Sequence, residues 1–273
     1  MRVLNYRSLL LLAEGQTDEA LKISIAMFRL SRHFDHEPML IGYLVALACR
    51  GVAVGTTNVA LRAGPPSDAS RDALEAELAR QDMAKHYRHA LTTERAFGLQ
   101  LFHETPNLLV GHLYMKLPMG KNDLCDYFEY MDFAIQGASR PYSDSGAQAS
   151  AKRVLDRSGP LTNSVAPAIQ ATHEAHCRIQ AEMRCLRVLN ALARHGYGPQ
   201  AEEPKLADLG LPADVLIDPY NGQPLHLKKL PEGWLIYSVG NNLKDDGGKL
   251  NEEHEDVGLG PITAQGATEK ASE

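Results

Sequence analysis

One long apolar stripe limits the folds open to this chain more than any other feature. Between residues 165 and 193, mostly apolar side chains recur in steps of four and three. The positions are Val165, Ile169, Thr172, His176, Ile179, Met183, Leu186, Asn190 and Ala193. Because an α-helix has ~3.6 residues per turn, this spacing places them on one face. The sequence predicts a long helix that starts near the Thr162, Asn163 and Ser164 caps, holds Pro167 in its first turn and ends at the HGYG segment.

Helical patterns also fill the chain before this stripe. One helix is expected to end at Gly15, and the next to begin at Thr17 and bury Leu21, Ile25 and Phe28. This pair resembles a tetratricopeptide-type hairpin, but no second copy follows at the period of about 34 residues that such repeats have. Further on, the Gly-Pro-Pro stretch ends a helix, Ser67 or Asp68 caps the next one, and another helix is predicted over residues 83–104.

The part between residues 105 and 160 is the hardest to interpret. The segment KNDLCDYFEYMDFAIQ predicts one helix, whereas residues 137–160 have the composition of turns and predict a long loop. After the long helix, PLHLKKL and GWLIYSVG predict two strands joined by a short turn. The expected fold is therefore mainly α: a helical domain over residues 1–160, a helix-plus-sheet domain over 161–260 with a small antiparallel sheet, and a flexible tail over 261–273.

Composition and charge argue against two classes of partner. A formal net charge of −6 gives no broad basic field for nucleic acid, and the locally basic HYRHALTTER segment reads as a solvated helix face. The weakly charged stretch over residues 38–61 contains Arg50, so a buried core helix is expected there rather than a membrane span. A helix that is already under way at Arg2 predicts that an anchoring or export segment precedes this sequence in a longer natural product.

The C-terminal third resembles a known family. A long helix ending in LNALARHGYGP is followed by LADLGLP, DPYNGQPL, WLIYSVG and DDGG. This order of parts resembles the globular domain of type II secretion major pseudopilins and related type IV pilin-like proteins, and that of uncharacterised helical envelope proteins of planctomycete-type bacteria. About 160 residues precede the helix here, and its exposed side is expected to carry Arg178, Glu182, Arg184 and Arg187. The resemblance therefore does not imply a pilus subunit.

The same resemblance implies a calcium site. In the family, the segment after the YSLG-like strand binds calcium, and the matching positions in this chain are Asn242, Asp245, Asp246 and Asp256. Calcium takes six to eight oxygen ligands from carboxylates, amide oxygens and backbone carbonyls. Lys244 lies within this acidic set and weakens the match. The alternative is that these Asx and Gly residues only form tight turns and cap strands.

Two histidine-rich segments are the other candidate sites. THEAHC places His173, His176 and Cys177 within one helical turn, but the spacing of three does not fit the HExxH metalloprotease motif. His176 also lies on the apolar stripe, as a core histidine would. The RHFDHEP segment between two helices could bind a metal or move protons, but it also fits a capping cluster with histidines that face water.

Together with these observations, the resemblance implies a non-enzymatic structural or protein-interaction protein on the periplasmic side of a bacterial cell envelope. Its partners are expected to be other proteins, and the resemblance implies calcium as a cofactor. No nucleophile elbow, phosphate-binding glycine loop or dinucleotide fingerprint is present in the sequence. Two alternatives stay open at this point: a metal-dependent hydrolase whose histidines converge in space, and a cytosolic helical adaptor with a groove among its first helices.

Overall fold

The structure is a computed structural model that describes residues 1–104, 109–198, 201–251 and 254–261, with side chains for all of these except 99–104, 109–112, 251, 254 and 255. Most of these residues are helical. The helices are α1 (Arg2–Ala13), α2 (Thr17–His33), α3 (Leu40–Ala63), α4 (Asp68–Leu78), α5 (Met83–Glu104), α6 (Leu109–Lys116), α7 (Pro118–Gly137), α8 (Ser145–Arg157) and α9 (Pro160–Arg194). The helix predicted over residues 83–104 is confirmed as α5.

A small antiparallel sheet follows α9. Its strands are β1 (His226–Leu230), β2 (Gly233–Ser238) and β5 (Val257–Leu259), in the order β1-β2-β5, while β3 (Leu250–Asn251) pairs with β4 (His254–Glu255). His226 is opposite Tyr237 in the first pair, and Ser238 is opposite Val257 in the second. The predicted mainly helical fold with a small antiparallel sheet is confirmed, whereas the tetratricopeptide-type hairpin stays a prediction.

Two compact units can be separated, and each is built from distant parts of the chain. Unit 1 contains residues 1–31, 48–81 and the described residues from Cys177 onward, and unit 2 contains residues 32–47 and 82–176. This grouping follows contacts in space, whereas the predicted domain boundaries at residues 160 and 260 were drawn along the sequence. Those boundaries stay a prediction, and the predicted tail lies outside the described residues except for Pro261.

Helix α2 contributes buried side chains to the core of unit 1. Leu21, Ile25 and Phe28 are buried as predicted, with at most 4% of each residue exposed. Arg50 of α3 is fully buried, and its Nε donates to Gln81 Oε1 at 3.0 Å. Burying a charged side chain costs free energy unless hydrogen bonds replace its water, so this contact satisfies part of that requirement. Ser67 caps α4 by accepting from the backbone N–H of Ser70.

The C-terminal half of α9 connects this helical core to the sheet. Arg184 Nη1 donates to the carbonyl of Ile217 at 2.6 Å, and Arg187 Nη2 donates to Glu75 Oε1 of α4 at 2.5 Å. The expectation that Arg184 and Arg187 lie on an exposed side of this helix is therefore wrong, because both are partly buried and hydrogen-bonded. Their guanidinium groups make directional contacts that an apolar stripe alone does not encode.

In unit 2 the structure corrects two predictions. The long loop expected over residues 137–160 contains α8, which is capped by the side chain of Asp144 at the N–H groups of Gly146 and Ala147. Helix α9 begins at Pro160, before the predicted cap cluster, so Pro167 lies inside the helix rather than in its first turn. The early start is explained by Asp123 of α7, whose carboxylate accepts backbone N–H groups at the beginning of α9.

One described helix, α3, is long and apolar enough to cross a membrane by length and composition. Its most apolar window has a mean hydropathy of 1.6, and 56% of that window is buried inside the structure. Core helices of soluble proteins pass the same test, so the finding is weak evidence for a span.

Candidate functional site

The candidate site is the acidic loop, which we define as residues 240–256, of which 240–251 and 254–256 are described. Its base is fixed by a residue that sequence reasoning did not select. Asp218 is fully buried and its carboxylate accepts from Ser238 Oγ at 2.7 Å, from the N–H of Val239 at 2.9 Å and from the N–H of Tyr220 at 2.8 Å. One carboxylate therefore joins the turn before β1 to the end of β2, where the acidic loop begins.

Asp245 is the predicted ligand that turns toward the sheet. Its Oδ1 accepts from the Tyr237 hydroxyl at 3.0 Å and from the N–H of Gly247 at 2.8 Å, and its Oδ2 lies 3.6 Å from His226 Nδ1. The hydrogen bond from Gly247 is the largest cause of a lowered pKa at Asp245. Burial, followed by the hydrogen bond to Asp245, raises the pKa of Tyr237. The Asp245 anion is thus stabilised first by the backbone of the loop and then by the Tyr237 hydroxyl of β2.

The other three predicted ligands are linked to one another. Asn242 Nδ2 donates to Asp246 Oδ2 at 2.9 Å, and its own Oδ1 accepts from the N–H of Lys244 at 2.8 Å. Asp256 is 5% exposed, and its carboxylate accepts from the N–H of Gly248 at 2.8 Å and, more weakly, from that of Asp246 at 3.4 Å. The structure therefore brings Asn242, Asp246 and Asp256 together around one turn.

Close packing of this turn on β2 depends on Gly248. Its backbone has a φ of +76°, and a Cβ placed there would lie 2.6 Å from Leu235 Cδ2 and 3.2 Å from the Tyr237 ring. A side chain at this position would require either the Leu235 side chain or the turn to shift. Lys228 of β1 also contacts this turn, because its Nζ donates to the carbonyl of Gly247 at 2.5 Å. The positions of the carboxylates are therefore set by the sheet under them.

The pKa shifts of Asp256 and Asp245 have opposite directions. Burial raises the pKa of Asp256, and the nearby charges of Asp246 and Asp245 raise it further, against the two backbone hydrogen bonds that lower it. A buried carboxylate beside two others is a place where a cation would relieve repulsion. The carboxylate and amide oxygens of Asp246, Asp256 and Asn242 are ligands of the hard type that calcium prefers.

The same oxygens already accept hydrogen bonds from the loop. A calcium ion would be held by Asp256, Asp246 and Asn242. Its positive charge would favour the ionised form of the Asp256 carboxylate, which burial disfavours. Binding would then exchange N–H contacts for metal contacts. Among the residues that the structure describes, no group of three or more His, Cys, Asp or Glu side chains is already arranged to hold a metal ion.

The histidine-rich segments are involved in ordinary packing contacts. In unit 2, His176 is buried, its Nδ1 lies 2.6 Å from the Tyr43 hydroxyl and its ring stacks on Tyr87 with centroids 4.5 Å apart. The ring of His173 stacks between Tyr87 and Tyr142, and burial lowers its pKa. Both histidines pack against aromatic rings, and the burial of His176 agrees with its place on the apolar stripe.

The second segment, RHFDHEP, also lies in unit 2. Asp35 is buried, with one carboxylate oxygen 3.8 Å from His86 Nε2, and the His36 ring meets the His86 ring edge to face. His33 and His36 are exposed to solvent, as the capping interpretation expects. Sequence inspection could not find His86 as the partner, because it lies about fifty residues away on α5.

Comparisons of the chain with protein-family models, with curated proteins and with solved structures found no match. The chemistry of the acidic loop therefore has to be argued from its own residues.

Proposed function

We propose that this chain is a non-enzymatic structural or protein-interaction protein of a bacterial cell envelope, and that calcium rigidifies its pseudopilin-like C-terminal module. The observation that supports it best is the buried carboxylate of Asp256, whose raised pKa has Asp246 and Asp245 among its causes. The order of parts also supports it: a long helix, an antiparallel sheet, and an acidic glycine-rich loop between β2 and β5. A cation at this loop would convert binding free energy into stability of the sheet.

The proposed role of the ion is neutralisation of charge rather than chemistry on a substrate. With calcium bound, Asp256 and Asp246 no longer repel each other, and the turn that contains Gly247 and Gly248 stays packed on β2. A stable turn keeps the loop surface in one conformation, as a docking surface for another protein requires. Without the ion, the hydrogen bonds within the loop and those from Tyr237 and Lys228 hold the loop, while the repulsion between its carboxylates remains.

Calcium titration of the whole protein tests this proposal. A ligand that binds only the folded state stabilises it by about 2.7 kcal/mol at 100 times its Kd, so the melting temperature should rise with calcium. Calorimetry should show saturable heat, and magnesium should substitute poorly because it demands a tighter octahedral shell. Asp246→Asn should weaken both effects.

The matched control is Asp208→Asn, which removes an exposed carboxylate of the short 3-10 helix Leu206–Leu209. It should leave the calcium response unchanged. An absence of heat, with no change in melting temperature at millimolar calcium, would retire the calcium part of the proposal. The envelope location is tested separately by fractionation of the native cells, and recovery of the protein in the cytoplasm would contradict it.

A further inference from the structure

An open surface pocket lies in unit 2, on a face of α5 that the proposed calcium function does not use. Its volume is about 530 Å³, within the range of roughly 300–1,000 Å³ that small-molecule pockets occupy. The polar residues that line it are Asp82, Lys85, Arg88, His89, Thr92 and Ser139. Four of them recur on α5 in steps of three and four, which places their side chains on one side of the helix.

The structure adds to this face a group that the sequence could not assign to it. Ser139 lies just after α7, and its Oγ accepts a hydrogen bond from Arg88 Nη2 at 2.6 Å. This contact fixes one end of the guanidinium group, so less conformational entropy is lost when its other N–H groups bind a ligand. Because Ser139 Oγ acts as an acceptor here, its own proton is left to donate to a ligand oxygen.

The charge in the pocket is positive although the chain as a whole is acidic. In the described part of the chain, neither Lys85 nor Arg88 forms an ion pair with a carboxylate. Asp82 is the acidic lining residue, and its Oδ1 accepts from the backbone N–H of Lys85 at 3.1 Å, as a helix cap does. The pocket therefore has two positively charged side chains and one negatively charged side chain that caps the helix, within a chain of net charge −6.

We propose that this pocket binds the phosphate group of a small phosphorylated molecule. The planar guanidinium of Arg88 matches the oxygen geometry of a phosphate, Lys85 supplies a second, mobile positive charge, and the Ser139 hydroxyl supplies a neutral donor. The locally basic segment of α5 is then more than a solvated face, because tertiary structure adds Ser139 and a concave shape to it. The inference is independent of the acidic loop.

Titration of the full chain with phenyl phosphate and with inorganic phosphate, followed by calorimetry at low ionic strength, tests the proposal. Both should bind with millimolar affinity, and affinity should fall as salt screens the two cations. The phosphate monoester should bind at least as tightly as inorganic phosphate, because the volume of the pocket accommodates more than the phosphate group. Arg88→Gln should weaken binding about tenfold, since charge-assisted hydrogen bonds are the strong ones.

Lys85→Gln and Ser139→Ala should weaken binding by smaller factors. The control is Lys121→Gln, which removes an exposed cation of α7 in the same unit and should leave the affinity unchanged. Far-ultraviolet circular dichroism verifies that each variant is folded, which is expected because Arg88 and Lys85 are exposed. No saturable binding of either probe at millimolar concentration, or equal affinity in Arg88→Gln and the unchanged protein, would overturn the proposal.

Discussion

Asp123 of α7 in unit 2 and Asp256 of the acidic loop in unit 1 are both buried carboxylates that accept backbone N–H groups. At Asp123, burial opposes ionisation, but hydrogen bonds from Thr162, Leu161 and Tyr114 together lower the pKa. At Asp256, burial raises the pKa, and the two backbone donors do not compensate for burial and for the neighbouring carboxylates. The same residue type therefore meets opposite electrostatic conditions in the two units.

The difference lies in the neighbours. Asp123 accepts from the Thr162 hydroxyl at 2.8 Å, from the Tyr114 hydroxyl at 2.9 Å and from three backbone N–H groups at the start of α9. Asp256 has two donors and two acidic neighbours. A buried carboxylate stabilises a fold by itself when donors surround it, and leaves a need for a cation when other carboxylates do.

The largest effect is expected from Asp123→Ala, which leaves several buried donors without an acceptor and removes the cap of α9. The cost should be about 3 kcal/mol, because buried unsatisfied donors and lost caps each cost on the order of 1–3 kcal/mol. Urea unfolding measures it. Asp156→Ala, which removes an exposed partner of Lys152 in α8, should cost less than about 0.5 kcal/mol. Equal costs for the two variants would contradict the role given to Asp123.

A change from Asp to Asn at each site tests the comparison directly, because the shape stays while the charge is lost. Asp123→Asn should lower stability by about 2 kcal/mol, since its amide cannot accept at both former oxygens. Asp256→Asn also loses one acceptor, but its oxygen can keep the 2.8 Å contact with Gly248, so only the weak 3.4 Å contact is lost. In calcium-free buffer its stability should therefore be unchanged or rise by up to about 1 kcal/mol, because a disfavoured charge is removed. Urea unfolding of the unchanged protein, the two single variants and the double variant checks this. A loss of stability at both sites would contradict the difference drawn between them.

Gly248→Ala tests how firmly the sheet positions the acidic loop. Gly247 and Gly248 have the same φ of +76°, but a Cβ at Gly247 meets nothing within 4 Å. Gly247→Ala should therefore lower stability by about 1 kcal/mol, the cost of placing alanine at a positive φ. Gly248→Ala should lower it by that amount and by about 1 kcal/mol more, because its Cβ clashes with Leu235. Thermal unfolding measures both. If the two variants are equally stable, the loop does not pack tightly on β2.

The smallest effect is expected in the pH dependence of stability, since protonation removes charge but keeps the oxygens. The folded pKa of Asp123 lies below its ordinary value of 3.8, so its contribution is present above 3.8 and is lost as pH falls through the folded pKa. Urea unfolding at several pH values measures this. The free energy of unfolding should fall less steeply with decreasing pH in Asp123→Asn than in the unchanged protein, and an equally steep fall in both would contradict the lowered pKa.

The contribution of Asp256 to the pH dependence of stability has the opposite sign. Its folded pKa lies above 3.8, so the stability linked to its protonated form is present below 3.8 and is lost as pH rises through the folded pKa. Without calcium, Asp256→Asn should therefore be relatively more stable at neutral pH than in acid. Calcium should reduce this difference in the unchanged protein, because the ion neutralises the same charge.

Much of the helical architecture could be predicted from residue patterns. The limits of α5, the burial of Leu21, Ile25 and Phe28 and the two long strands follow from periodicity, caps and turn residues, which are local properties. Helix α8 was missed because Asp144, Ser145 and Gly146 have turn composition, although Asp144 then serves as its N-cap. The start of α9 was missed because its cap comes from Asp123 on another helix.

The candidate site divides in the same way. The order of Asn242, Asp245, Asp246 and Asp256 along the chain is visible in the sequence, but their partners are not. The Tyr237 hydroxyl donates to Asp245, which turns that carboxylate toward the sheet, whereas the other three residues contact one another. Asp218 fixes the base of the acidic loop through Ser238. No spacing rule predicts a contact over twenty residues in an irregular segment, because such contacts depend on where the strands lie.

The sequence by itself determined that this chain is mainly helical with a small antiparallel sheet, because hydrophobic periodicity and turn chemistry act over a few residues. Only the tertiary structure decided which carboxylates are surrounded by donors, which face one another, and that Ser139 meets Arg88 beside a pocket. Ionisation and ligand recognition depend on distances of a few ångströms between residues far apart in the chain, and those distances are set by packing.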